Sequence, residues 1–251
     1  RQGLSTIWDA CAQQVVEQAL GGDFRRIVES QEQVATNRLV SSLEEQALLE
    51  SLLESSKPPL PSGCGKLHYL LSTPFRYPPL RHGSRFGSRF EPSLLYASRT
   101  SETVLAEAAY YRLLFWSGMT EPPKLALKTQ HTMFGARFRT ERGLRLQKPP
   151  FDTFREQLAD PVDYRATQAL GTRMRNEGVE AFEFRSARDP GGGTNIGIFS
   201  SAVLSVLRPL FSENWLCETT ASGVDFYCAD NRQVLRHRLE TFLVDGALPM
   251  P

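Results

Sequence analysis

Residues 75–90 read Phe75-Arg76-Tyr77-Pro78-Pro79-Leu80-Arg81-His82-Gly83-Ser84-Arg85-Phe86-Gly87-Ser88-Arg89-Phe90, and Leu94-Leu95-Tyr96-Ala97-Ser98 follows within four residues. The first block holds four arginines and no acid. Uncompensated guanidiniums repel one another unless an anion meets them, and the arginine fork suits diphosphate and carboxylate geometry. The interleaved Gly and Ser let backbone approach a ligand closely. The plainer reading is a solvated loop whose arginines pair with distant acids, in a chain with 24 Arg and only 5 Lys. Leu94–Ala97 predicts a short strand, and Thr100 or Ser101 caps a helix through Trp116. That helix buries Val104, Leu105, Ala108, Tyr111 and Leu114, with Glu107 beside the apolar face. A carboxylate there, near the strand of Tyr96, is placed to stabilise a developing cation. The plainer alternative is a surface glutamate that pairs with Tyr110, Tyr111 or Arg112.

Toward the C-terminus, Leu125–Gln130 and Met133–Arg139 predict strands, and Val162–Asn176 predicts a helix closed by Gly178. Val179–Phe184, Asn195–Phe199, Trp215–Thr219, Val224–Cys228 and Gln233–Leu243 read as extended. Short strands mixed with a few helices, without regular alternation, predict an α+β domain. Phe182 to Asn195 is a strand, a Gly-rich turn and a strand; no GKS/T follows, so it is not a phosphate-cradling loop. Ser186 lacks His and Asp partners at motif spacing, which argues against a Ser-His-Asp hydrolase.

Toward the N-terminus, residues 4–20 and 24–56 read as helical, interrupted at Gly21-Gly22, with Ser42 and Glu45 in capping-box spacing. Lys57-Pro58-Pro59-Leu60-Pro61-Ser62-Gly63 is a stiff breaker and the expected boundary. The expected division is an N-terminal helical extension, 1–60, and a catalytic domain, 61–251. The extension's apolar stripes call for burial in cis, in a homodimer or on a partner.

With 251 residues, 41% hydrophobic and 23% charged, the chain has the apolar content for a core. A net charge of +1 argues against direct nucleic-acid binding. No apolar run approaches the ~20 residues of a bilayer span. Cys11, Cys64, Cys217 and Cys228 form no CxxC pair and the histidines are scattered, so no metal site is expected. Buried free thiols and a cytoplasmic location are the expectation, although Cys217 and Cys228 fall where a hairpin would bring them face to face.

Together these blocks resemble the RES domain, a family of toxins from bacterial toxin–antitoxin pairs. Arg76-Tyr77 resembles its first block. Gly83-Ser84-Arg85-Phe86 resembles its Gly-x-Arg-aromatic block, with Phe where Trp is common. Tyr96-Ala97-Ser98 and Glu107 match a strand Tyr-x-Ala and a helix Glu eleven residues after the Tyr. Phe184-Arg185-Ser186 resembles the late aromatic-x-Ser, with Arg in place of Pro, and Asn195 matches a later polar position. The repeat Gly87-Ser88-Arg89-Phe90 leaves a register four residues on, but the Tyr and Glu spacing favours Arg85. The likeness covers residues 66–240.

The resemblance implies an ADP-ribosyltransferase-like fold and NAD as substrate. It implies cleavage of the nicotinamide–ribose bond by hydrolysis or phosphorolysis, or transfer of ADP-ribose to a protein. It implies a cognate helix-turn-helix, Xre-like antitoxin as partner. Carried onto this chain, Glu107, Arg85, Tyr96 and Arg76 are the expected catalytic residues. Tyr77, Ser186 and Asn195 are the expected substrate-binding residues. The rivals from another class are a non-catalytic nucleotide- or phosphate-binding module and an inactive scaffold whose acidic 42–56 segment docks a partner.

Overall fold

The computed structural model describes residues 6–30 and 40–250. Its elements run α1 (Ile7–Cys11), β1 (Gln18–Glu29), α2 (Leu43–Ser56), α3 (Tyr69–Arg76), β2 (Leu95–Ser98), α4 (Ser101–Ser117), β3 (Leu127–Arg145), α5 (Arg155–Leu158), α6 (Arg165–Asn176), β4 (Ala181–Arg185), β5 (Thr194–Ile198), β6 (Phe211–Thr220), β7 (Gly223–Cys228) and β8 (Val234–Arg238). The architecture is α+β.

All eight strands form one sheet in the order β1-β2-β5-β4-β3-β6-β7-β8, and β1 also pairs with β3. The pairings β1–β2–β5–β4–β3–β1 therefore close a five-membered ring, from which β6, β7 and β8 extend as a meander. Only β3–β4 is parallel. The spine is β3, one 19-residue strand where two were expected. It pairs with β6 over Leu127–Gly135 and with β1 over His131–Gly143. Leu20 and Phe24 of β1, Leu95 and Ala97 of β2, Phe134, Ala136 and Phe138 of β3, and Ile196 and Ile198 of β5 share one buried cluster, which Leu70, Leu71 and Phe75 of α3 complete.

The expected helical extension is corrected here. Residues 18–29 are a strand with eleven registered partners on β3. The apolar residues Leu20, Phe24 and Val28 recur every four positions. That spacing lies on one face of a helix and equally on one face of a strand, so periodicity alone does not separate them. Gly21, expected to stop a helix, lies inside the strand, where a Cβ would meet the Phe138 carbonyl oxygen at 2.9 Å. Helix α1 is five residues long; Leu4 and residues 31–39, also expected to be helical, lie outside the described residues. Residues 43–56 are helical as expected, with Ser42 accepting from the Glu45 amide, and no residue of α2 is buried. The chain before residue 60 is thus joined to the sheet through β1.

On the opposite side of the sheet, α6 and α1 pack with Phe182, Phe184 and Leu144, while α4 packs on β6 and β7. All four cysteines are free and buried, and Cys217 faces Phe226 across its hairpin, not Cys228.

Candidate active site

Helix α4 starts at Thr100, whose side chain accepts from the Thr103 amide, and its second turn presents Glu107. One carboxylate oxygen of Glu107, Oε1, accepts from Ser186 Oγ at 2.6 Å and from Asn195 Nδ2 at 2.6 Å. Both donors are themselves held. Ser186 Oγ accepts from the amides of Arg188 (3.1 Å) and Asp189 (2.9 Å), and Asn195 Oδ1 accepts from Ser98 Oγ at 2.6 Å. The Gly-rich turn between β4 and β5 thus locks the carboxylate. Two of the plainer partners of Glu107 are engaged elsewhere: Arg112 pairs with Glu29, and the Tyr110 hydroxyl donates to the Pro249 carbonyl; Tyr111 lines the same cavity as Glu107.

Glu107 lines a cavity of about 310 Å³, together with Arg25, Arg26, Arg85, Tyr96, Tyr164 and Asn195. That volume is at the small end of the range for ligand sites.

Arg85 sits in the tight turn Ser84–Gly87, closed by the Ser84 amide donating to the Gly87 carbonyl at 2.8 Å. Gly83, with φ +75°, leads into it; a Cβ there would lie 2.4 Å from the Gly87 carbonyl oxygen. Phe86 is wedged between Phe182 and Phe184, with ring centroids 4.8 Å from each. From below, Gln168 of α6 donates to the carbonyls of His82 (2.9 Å) and Ser84 (3.0 Å). The Arg85 guanidinium donates to the Asp160 carbonyl at 2.7 Å and lies over the Tyr164 ring. It has no carboxylate partner among the described residues, so its charge stays available. Arg89 lies over Phe90 and outside the cavity, so of the two repeats it is Arg85 that lines it.

The Tyr96 hydroxyl accepts from the Phe86 amide at 2.8 Å and shares a 3.0 Å hydrogen bond with Ser84 Oγ. Burial pushes this phenol up to about 12, so it remains a neutral clasp on the Arg85 turn.

Two expected residues lie elsewhere. Arg76 ends α3 and donates to Glu54 Oε1 (2.6 Å) and to the Pro58 carbonyl (2.5 Å), so it fastens the end of α2. The Tyr77 side chain is exposed, and its carbonyl accepts from Ser93 Oγ. Neither lines the cavity.

Arg25, Arg26, Tyr111 and Tyr164 line the cavity without having been expected. Arg26 Nη1 donates to the Tyr96 carbonyl, while its Nε is buried without a partner. Burial pulls this guanidinium down to about 10, still charged near neutrality. The pair Arg25-Arg26 was legible as cationic, but its place depended on β1 being a strand beside β2. Among the described residues no cluster of His, Cys, Asp and Glu fits a metal ion, and no helix is long and apolar enough to cross a membrane.

The cavity therefore combines one fixed carboxylate with three arginines that have no carboxylate partner among the described residues. It offers electrostatic support for a developing cation beside a seat for an anion. The family model described as RES domain matches residues 61–219, more than half of the chain. No curated protein matches the chain. The matched segment carries Arg85, Tyr96, Glu107, Ser186 and Asn195, but not Arg25 and Arg26.

Proposed function

The chain belongs to the RES-domain family, and from that premise we propose that it cleaves the bond between nicotinamide and ribose in NAD. The observation that carries this reading is the Glu107 carboxylate, held by Ser186 and Asn195 through one oxygen, in a cavity with Arg25, Arg26 and Arg85. A dinucleotide brings the complementary charges: a diphosphate for the arginines and a ribose that turns cationic as nicotinamide leaves.

In the reaction the C1′–N bond breaks and its electron pair stays on the pyridine nitrogen, so nicotinamide departs neutral. Oxocarbenium character builds at C1′, and Glu107 stabilises it through charge and through hydrogen bonds from the ribose hydroxyls. An acceptor oxygen, from water or phosphate, then bonds to C1′; water gives up a proton to the solvent, whereas phosphate attacks through an anionic oxygen that carries none. Ser186 and Asn195 orient the carboxylate. Tyr96 fixes the turn that carries Arg85. In the cell such a reaction depletes NAD, which fits a toxin restrained by a cognate helix-turn-helix antitoxin.

The test is to incubate the protein with NAD, with and without phosphate, and to identify products by mass. Release of nicotinamide with free or phosphorylated ADP-ribose supports the reading. An ADP-ribose adduct on protein moves it to transferase. Intact NAD leaves a nucleotide-binding module.

A further inference from the structure

Behind Arg85 lies a second, buried arginine that the proposed reaction does not use. Arg188, in the turn after β4, is 5% exposed and has no carboxylate partner among the described residues. Its guanidinium carbon lies 3.6 Å from the centroid of the Tyr110 ring. Its Nη2 donates to the Pro161 carbonyl at 2.7 Å and to the Tyr164 hydroxyl at 3.1 Å. The same hydroxyl accepts from Arg85 Nη2 at 3.4 Å, and the Arg85 guanidinium carbon stands 4.3 Å from the Tyr164 ring centroid. One phenol thus meets both guanidiniums, with its ring beneath one and its oxygen shared by both. A bare cation buried next to another is costly unless the arrangement serves an anion nearby.

We infer that Tyr164 is the positioning residue of the anion seat: it sets the Arg85 guanidinium in the plane that receives a diphosphate, and Arg188 anchors Tyr164 while adding positive charge behind it. This rests on the proposed reaction only for the identity of the anion's carrier. Tyr164 acts through Arg85, and the carbonyls of Leu158 and Asp160 take up the Nη1 side of the same guanidinium. Removing the hydroxyl while keeping the ring frees the Nη2 side of the fork, because the two carbonyls hold Nη1 alone and stacking does not fix rotation about the ring normal.

The experiment is a double-mutant cycle of Tyr164→Phe and Arg85→Lys, with inorganic diphosphate binding measured by calorimetry and NAD turnover measured alongside. Tyr164→Phe is expected to weaken diphosphate binding and raise KM for NAD by about fivefold or more, with kcat within about twofold, because the lost interaction orients an anchor and not the reacting carbon. In the Arg85→Lys background the same change is expected to alter binding by less than about twofold, since residues acting as one unit are not additive. Equal losses in both backgrounds, unaltered binding in Tyr164→Phe, or a fall confined to kcat overturns the inference. No diphosphate binding by the unaltered protein overturns it together with the anion seat. Coupled diphosphate binding without NAD consumption upholds the inference and removes the proposed reaction.

Discussion

At Glu107 the proposed chemistry rests on one oxygen pinned by two neutral donors, with no hydrogen bond to the other among the described residues. Glu107→Gln keeps the volume and one acceptor oxygen, and removes the charge. It is expected to lower NAD consumption by about a hundredfold or more, with a melting temperature close to the parent's. A parent-like rate would remove Glu107 from the mechanism. Ser186→Ala and Asn195→Ala each leave the carboxylate with one tether; each is expected to lower kcat by about tenfold with a smaller change in KM. A rise confined to KM would return them to substrate binding. His131 gives a pH dependence. Burial, with Arg112 nearby, pulls it from 6.5 down to about 4. Between those values the unfolded chain binds the proton and the folded one does not, so stability falls as pH drops from about 6.5 toward 4. The loss is about 2 kcal/mol by pH 5. In His131→Gln the melting temperature should fall less between pH 7.5 and 5, which a pair of thermal scans checks.

At the scale of elements, the seat of Arg85 is a joint between the 84–87 turn and α6. Gly171 of α6 faces the Phe86 backbone so closely that a Cβ would lie 1.9 Å from its carbonyl oxygen. In an exposed helix Gly→Ala stabilises by about 1 kcal/mol. Here the sign reverses: Gly171→Ala forces the turn away and costs about 1–3 kcal/mol, as overpacking does. Lower thermal stability and a raised KM for NAD are the expected pair; a more stable, fully active variant would break the joint as drawn. Helix α4 and strand β2 were legible because a cap, an apolar face and a short β-rich run agree at each. Gly178, with φ +81°, closes α6 where the C′ glycine was expected. Helix α3 was hidden by Pro74 near its end and by reading the residues from Phe75 onward as part of an arginine-rich loop. The Glu107 tethers were hidden for another reason: Ser186 and Asn195 lie 79 and 88 residues from Glu107, and the β4–β5 hairpin brings them to it. Sequence order carries no distance of that kind.

For the whole molecule, the decisive step was the state of residues 18–29. As a helix they lie outside the catalytic unit; as β1 they close the ring of strands and bring Arg25 and Arg26 into the cavity. Two truncations separate these cases. Removing residues 1–17 takes away α1, whose Ile7, Trp8 and Cys11 are buried near Phe151 and α6. The ring stays whole, so the protein should melt at a lower temperature but still fold and consume NAD. Removing residues 1–29 strips β3 of its pairing with β1 and empties the places of Leu20 and Phe24, which are 2% and 0% exposed. Emptying two such places costs about 5–10 kcal/mol in large-to-small terms. A domain's whole stability is about 5–15 kcal/mol. That truncation is therefore expected to give aggregated protein or a chain with no cooperative melting. A soluble, cooperatively folded product lacking residues 1–29 would show that the sheet stands without β1. If that product also consumed NAD, Arg25 and Arg26 would have no part in holding the substrate.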